Sequence, residues 1–247
     1  MDNQQYRNLM WHLSYVESLL ENVAIATDGG GVCECPICKA KVPVFLPFGE
    51  RIRKNALCPK CHSLERHRKL WLLMQKLDWH KQGMSVLHFA PEPVFHKLFS
   101  SFADIDYWPV DLNPKMRGVR KAVDITNITF DDETFDLIMC THVLEHIPDD
   151  RKAMSELYRV LKKGGIALLN VPVFNRPQTL ENPEYNTPEL CSKYYGQFDH
   201  VRAYGLDYPQ RLADANFKVH FFNELDEETC KHYGIHNYER IYWCTKE

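Results

Sequence analysis

The sequence predicts an α/β fold built on a doubly wound parallel sheet, with a small cysteine module ahead of it. Three observations carry that prediction. From residue 84 to residue 172, apolar runs of strand length alternate with stretches of helical spacing, the pattern of successive βαβ units. Residues 135–141 (FDLIMCT) are apolar throughout after Asp136, as in a central parallel strand buried on both faces. Upstream, Cys35-Pro-Ile-Cys38 and Cys58-Pro-Lys-Cys61 form a C-x2-C-x19-C-x2-C array, which is metal-binding spacing.

Length and composition set the bounds. A chain of 247 residues, 45% hydrophobic, holds one α/β domain plus a small module. A net charge of −3 gives no basic field to recruit nucleic acid. No apolar run reaches membrane-spanning length, so no membrane partner is expected. The polar start MDNQQYRN lacks the charged-then-apolar pattern of a secretory signal. Nine cysteines in that setting are expected as thiols and metal ligands in a cytoplasmic protein.

The first segment, 1–31, reads as a helix and a linker. Tyr6, Leu9, Met10, Leu13, Val16, Leu19, Leu20 and Val23 have one-faced helical spacing, expected to pack on the protein itself. Asp28-Gly29-Gly30-Gly31 breaks that helix. In the second segment, 32–62, each C-x2-C pair can wrap an ion from one tight turn. Two pairs give four thiolates in a tetrahedron, a closed structural zinc site. Iron suits the same sulfurs. The intervening KAKVPVFLPFG reads as a β-ribbon. So small a module cannot bury a core, so the ion held by Cys35, Cys38, Cys58 and Cys61 supplies folding free energy. Residues 63–83 are expected to connect the ribbon to the core through a helix over 62–77, with Ser63 as N-cap. Arg66-His67-Arg68-Lys69 reads there as a solvated face.

The core segment is 84–247. Strands are expected at 85–90, 107–112, 119–124, 135–141 and 165–171. Helices are expected at 93–102 and 149–161, the second ended by Gly164-Gly165. Ligands of such sheets lie at the carboxyl ends of the strands, where Asp111 and Asp124 end two of them. After the first strand a dinucleotide fold would carry glycines. Here the stretch is Ala90-Pro91-Glu92-Pro93. Two prolines remove amide donors, and Glu92 sets a carboxylate at a helix start that otherwise welcomes anions. Pyrophosphate is opposed and a cation tolerated. Asp111 suits a ribose diol and Asp124 an exocyclic amine of adenine. A phosphate-free, positively charged nucleoside such as S-adenosylmethionine meets these constraints.

Residues 84–171 resemble the class I S-adenosylmethionine-dependent methyltransferases, in the branch carrying a FDLI…HVLEHI…ELYRVLKKGG pattern. Here the pattern is residues 135–138, 142–147 and 156–165. The resemblance implies a seven-stranded Rossmann-like sheet whose last strand runs antiparallel. It implies that Asp111 with Leu112 holds the ribose and Asp124 with Ile125 the adenine. Cys140, Thr141 and His142 would line the pocket after the fourth strand, and Phe89, Ala90, Pro91 and Glu92 the first loop. That loop departs from the family's glycine-rich turn.

His142-Val-Leu-Glu145-His146 also fits the H-x-x-E-H signature of zinc peptidases. It directly follows a strand and Pro148 arrives at once, leaving about one turn. A post-strand loop is therefore expected. Residues 173–205, proline-rich and aromatic, read as a lid over the acceptor. In it His200 is the candidate general base and Arg202 the candidate for orienting an acceptor. A helix over 206–215 and strands at 217–222 and 239–245 complete the chain.

The expected activity is methyl transfer from S-adenosylmethionine to oxygen or nitrogen of a small molecule or glycan. RNA methylation is the rival, with Arg51, Arg53, Lys54 and Arg66–Lys69 touching phosphate. A non-catalytic zinc-containing interaction module is the third reading.

Overall fold

A strand such as Ser-Val-Leu-His-Phe, buried on both faces, needs a neighbour on each edge and a covering layer on each face. The computed structural model describes residues 3–27, 32–49, 52–116, 118–223, 225–236 and 239–247. The linker at Asp28–Gly31 and the basic Arg51 lie outside them. In chain order the elements begin with helix α1 (Asn3–Thr27), strands β1 (Cys33–Glu34), β2 (Lys41–Val42), β3 (Leu46–Phe48) and β4 (Arg53–Leu57), and helix α2 (Glu65–Lys76). There follow β5 (Ser85–Phe89), α3 (Pro93–Phe99), β6 (Asp106–Asp111), β7 (Lys121–Ala122) and β8 (Phe135–Thr141). After one 3-10 turn (Leu144–His146) come α4 (Asp150–Val160), β9 (Leu161–Asn170), α5 (Pro188–Tyr195), α6 (Tyr208–Asp214), β10 (Lys218–Phe222), α7 (Glu227–Tyr233) and β11 (Ile241–Thr245).

Two compact units divide the chain. One holds Met1–Leu77 with Glu224–Tyr238, the other Asp78–Asn223 with Glu239–Glu247. Residues 224–238, which fall in the segment 84–247 assigned to the core domain, therefore belong to the first unit, and helix α7 there starts at an Asp226 cap that accepts from Thr229 N.

In the first unit, two short antiparallel pairs, β1–β2 and β3–β4, form the ribbon. Helix α1 does not bury the apolar stripe its spacing suggests. Leu9, Leu13, Val16 and Leu20 are exposed, while Trp11, Ser14, Tyr15 and Ser18 form the covered stripe. On the covered stripe Trp11 Nε1 donates to Gly49 O at 3.0 Å. The expected solvated face of α2 is also corrected: His67, Arg68 and Lys69 are buried. The helix begins at Glu65 with Leu64, not Ser63, at its N-cap. Ser63 Oγ instead lies 3.3 and 3.2 Å from the sulfurs of Cys35 and Cys61.

The second unit is the seven-stranded sheet, in the order β10-β11-β9-β8-β5-β6-β7. Strands β9, β8, β5, β6 and β7 run parallel. β11 is antiparallel to both β9 and β10, as expected of the last strand. β5 and β8 are central and almost wholly buried. Helix α4 packs Ala153, Met154, Leu157 and Val160 into the main core beside Leu87, Val110 and Ile138. Two local expectations differ. The strand at 119–124 shrinks to Lys121–Ala122, because Asp124 turns its carboxylate onto the amide of Thr126 and the side chain competes with the ladder. Gly164 and Gly165 do not stop α4. They sit inside β9, where Gly164 has φ +73° and the register against β8 shifts, making a bulge.

Residues 173–205 contain α5, capped by Thr187 Oγ1 and stopped by Gly196 at φ +93°. Cys191, Tyr195 and Ala203 give this segment its own small core. Among the described residues no helix is long and apolar enough to cross a membrane.

Candidate functional site

The strand order reverses its direction of growth on either side of β5, with β6 on one flank and β8 on the other. In open α/β sheets the crevice at that switch point takes the ligand. Two chain segments leave the sheet there. After β5, Ala90 donates its N–H to Val110 O at 2.9 Å and takes φ +45°. After β8, His142 donates its N–H to Asn170 O at 2.8 Å and takes φ +56°. Non-glycine residues in the left-handed region are strained, by roughly 1–2 kcal/mol each, and such strain gathers at functional sites. Ala90 thus makes, without glycine, a turn that glycine would make freely.

The expected cofactor residues occupy this edge to different degrees. Phe89, Cys140 and Thr141 are buried at the strand ends, and Ala90, Pro91, Glu92 and His142 are half-buried. Thr141 Oγ1 donates to Glu92 Oε2 at 2.7 Å, which ties the β5 loop to the end of β8. Asp111 ends β6 and its Oδ1 accepts from Asn113 N at 2.8 Å. Its neighbour Leu112 is a large apolar side chain 73% exposed. Asp124 is exposed and Ile125 buried. The Thr126 amide, and after it the Thr126 hydroxyl, hold the Asp124 carboxyl below the usual carboxylate range. Cys140 is fully buried in the main core, and burial pushes its thiol well up, so its side chain packs the sheet and does not line the crevice.

Arg202 does not orient an acceptor. It is buried, and its guanidinium donates to the carbonyls of Leu144, Ile147 and Pro148 and to Glu181. It is a clamp that fixes the loop after β8. His200 is likewise buried, its Nδ1 lying 3.1 Å from Tyr195 O. The H-x-x-E-H motif forms a strand end and a single 3-10 turn, so its two histidines do not share a long helix. His146 instead meets His200 edge to face, with ring centroids 4.7 Å apart. Tyr204 and Arg211, which the sequence did not single out for this region, both donate to Asp150 Oδ2 at 2.7 Å. They join α4 to the end of the lid. No local motif marks them, because the partners are 54 and 61 residues apart.

The four cysteines converge. One sulfur from each of Cys35, Cys38, Cys58 and Cys61 lies within 4.8 Å of the others. Cys35–Cys61 and Cys38–Cys58 are 3.6 and 3.7 Å apart. Sulfurs about 2.3 Å from a tetrahedral zinc stand about 3.8 Å from one another, so the donor set fits such an ion. The two turns repeat one geometry. Lys39 N donates to Cys35 O and His62 N to Cys58 O, while Lys39 and His62 both take φ +59°. Beside them Arg68 is fully buried. It donates to the carbonyls of Asn55, Ala56, Ser63, Tyr233 and Gly234. Its charge would offset the excess negative charge of four thiolates on a divalent ion.

Comparison with known proteins agrees with this geometry. Residues 92–169 match the family described as methyltransferase domain. An uncharacterised protein of Methanocaldococcus jannaschii is 33% identical over 126 residues, which are 49% of this chain and 54% of that protein. Phosphoethanolamine N-methyltransferase 2 of Caenorhabditis elegans is 30% identical over 98 residues, 40% of this chain and 20% of that one. The chain therefore spans about half the length of the first relative and a fifth of the second. The solved YcgJ protein of Bacillus subtilis aligns with a TM-score of 0.48 at 19% identity, covering 72% of this chain and 94% of that one. The match to the methyltransferase domain family runs from the start of α3 into β9.

Proposed function

We propose that this chain transfers the methyl group of S-adenosylmethionine to an oxygen or nitrogen of a small-molecule or glycan acceptor, in a cytoplasmic setting. One observation carries the reading: an acid ends β6 beside an exposed leucine, at the switch point of a sheet whose central segment matches a methyltransferase domain. When bound, S-adenosylmethionine supplies an electrophilic methyl on a cationic sulfur. Asp111 accepts from the ribose hydroxyls, and the exposed face of Leu112 covers the base. Asp124 accepts from the exocyclic amine, with Ile125 beneath it. Ala90, Pro91 and Glu92 shape the end that receives the cationic part, where a carboxylate at the start of α3 favours positive charge. Phe89, Thr141 and His142 close the floor between the two loops. Residues 173–205 form the acceptor wall, and their contribution is alignment and exclusion of water. Cys35, Cys38, Cys58 and Cys61 hold a structural zinc.

The cations named for the RNA alternative have protein partners or are buried. Arg53 pairs with Glu65, Lys54 pairs with Glu21, and Arg68 and Lys69 are buried. These cations serve the module's interior and neighbours.

Calorimetric titration of S-adenosylmethionine and S-adenosylhomocysteine tests the cofactor, with Asp111→Ala as the contrast. Binding by the wild type and a loss of about tenfold or more in the variant, the worth of one or two charge-assisted hydrogen bonds, is the expected result. Equal binding by both proteins contradicts the assignment. Labelled cofactor incubated with a fractionated metabolite pool then identifies the acceptor class.

A further inference from the structure

The geometry points to a second metal site, made by Glu145, His146 and His200, which takes one divalent transition-metal ion and leaves coordination positions open. One ligand atom from each of these residues lies within 4.8 Å of the others.

The chemistry of each donor supports the assignment. Glu145 is 1% exposed, and its Oε2 has no hydrogen-bond partner. A buried carboxylate oxygen left unpaired is costly, and a cation is the partner that best satisfies it. His200 has Nδ1 3.1 Å from Tyr195 O, and His146 has Nδ1 3.2 Å from Asp199 O. A carbonyl only accepts, so each Nδ1 carries the proton and each Nε2 keeps its lone pair. Imidazoles pinned at one nitrogen by a backbone carbonyl are the usual outer support of metal-bound histidine. The Oδ2 of Asp199 stands 3.4 Å from His146 Nδ1 and reinforces that support.

The backbone holds the donors in place before any ion arrives. Val201 N donates to Glu145 O at 2.9 Å, and Arg202 binds the carbonyls on either side of the turn. The lid segment carrying His200 is thereby stitched to the turn carrying Glu145 and His146. His146 retains about 29% of its side-chain surface, which gives the ion a route in. The sequence motif paired His142 with His146. In the fold His142 Nδ1 lies 3.3 Å from Glu145 Oε1 and orients the carboxylate, while His200 takes the place of the second histidine.

Two imidazoles and one carboxylate suit a divalent first-row ion. Three protein ligands leave room for water or an acceptor oxygen, unlike the closed four-cysteine cluster. On this assignment His200 is a ligand, and not the general base.

Cobalt(II) separates the two sites by spectroscopy. Cobalt bound to nitrogen and oxygen shows d–d bands without the intense thiolate-to-metal charge-transfer band of a four-cysteine site. The full chain is titrated with cobalt(II) after its cysteine site has been loaded with zinc. One saturable equivalent with the nitrogen–oxygen spectrum is expected. Glu145→Gln and His200→Gln should weaken it by more than the roughly 10–100-fold that outer-shell changes cause. Should a buried variant fail to fold, the partly exposed His146→Gln gives the same reading. A wild type that takes up no such equivalent overturns the proposal, and so do variants that bind like the wild type. Because no cofactor or acceptor is added, either result stands apart from that of the S-adenosylmethionine titration.

Discussion

The cluster at the centre of the cysteine ribbon is mostly sulfur, whereas the cluster at the centre of the sheet is almost all hydrocarbon. Three of the four fully covered apolar positions of the module's cluster are cysteines, the fourth being Phe45, over which Arg68 stacks at 4.0 Å. The sheet's core runs instead from Leu87 and Phe89 through Ile138, Met154 and Leu157 to Tyr242. Apolar burial of that extent stabilises a domain without help, at about 25 cal/mol per Å². The module has no such reserve. Gly234 shows how tightly the buried Phe45 is held, since a Cβ there would meet its ring at 2.4 Å. The contrast teaches that the two units should fail under different insults: the ribbon when an ion held by its four cysteines is withdrawn, the sheet when its buried polar exceptions are charged or strained.

Metal withdrawal should therefore produce the largest effect. Apparent zinc-binding free energies of about 10–16 kcal/mol in small zinc modules exceed anything the module's own packing can replace. After treatment with a strong chelator, amide hydrogen exchange should rise to near-random-coil rates in β1–β4, while β5 and β8 keep their protection. Cys58→Ser should do the same without chelator. Full protection of β3 and β4 in metal-stripped protein would mean that the module folds by packing, and the contrast between the units would be lost.

The next effect belongs to the sheet. His88 lies in the middle of β5, fully buried, with Nδ1 2.9 Å from the Tyr107 hydroxyl and no partner on Nε2. Burial pulls its pKa down to about 3, against about 6.5 for an unperturbed histidine. Between these values the unfolded chain binds a proton that the folded chain refuses. Stability from this residue is thus present above pH 6.5 and falls as pH drops toward 3, by up to about 1.4 kcal/mol per pH unit. Urea unfolding at pH 7, 6 and 5 should show that slope, and His88→Leu should flatten it. An unchanged slope in the variant would place the acid sensitivity elsewhere.

These two cases also mark what could be read from the chain alone. The cysteine pairs were legible because each pair closes on one turn, a property of four consecutive residues. The sheet was legible because β5, β8 and α4 carry their burial in their own periodicity. What escaped depends on partners far along the chain. Arg68 looks like part of a solvated run until Tyr233 and Gly234, 165 and 166 residues away, bring their carbonyls to it. His200 and Arg202 were singled out for chemistry, yet Arg202 serves the backbone of a loop 54–58 residues earlier. Helix α1 misled for another reason. Its most apolar stripe, with Leu9, Leu13, Val16 and Leu20, is exposed, while Trp11 and Ser18 lie on the covered one, and nothing in the spacing of the apolar residues marks that choice.

The smallest expected effect tests the strained turn after β5. Alanine ordinarily outperforms glycine in stability, because glycine loses more backbone freedom on folding, by about 0.5–1 kcal/mol. At Ala90 the order should reverse. With φ at +45°, the alanine Cβ crowds its own backbone at a cost of roughly 1–2 kcal/mol, which glycine does not meet. Ala90→Gly should therefore raise stability by about 0.5–1 kcal/mol net, read as a higher urea midpoint with an unchanged m-value. Ala90→Val should lower it by more, since a β-branched side chain tolerates a positive φ least. If glycine destabilised this position, the turn would not be strained in solution. The inference that this chain makes a glycine-suited turn without glycine would then have to be withdrawn.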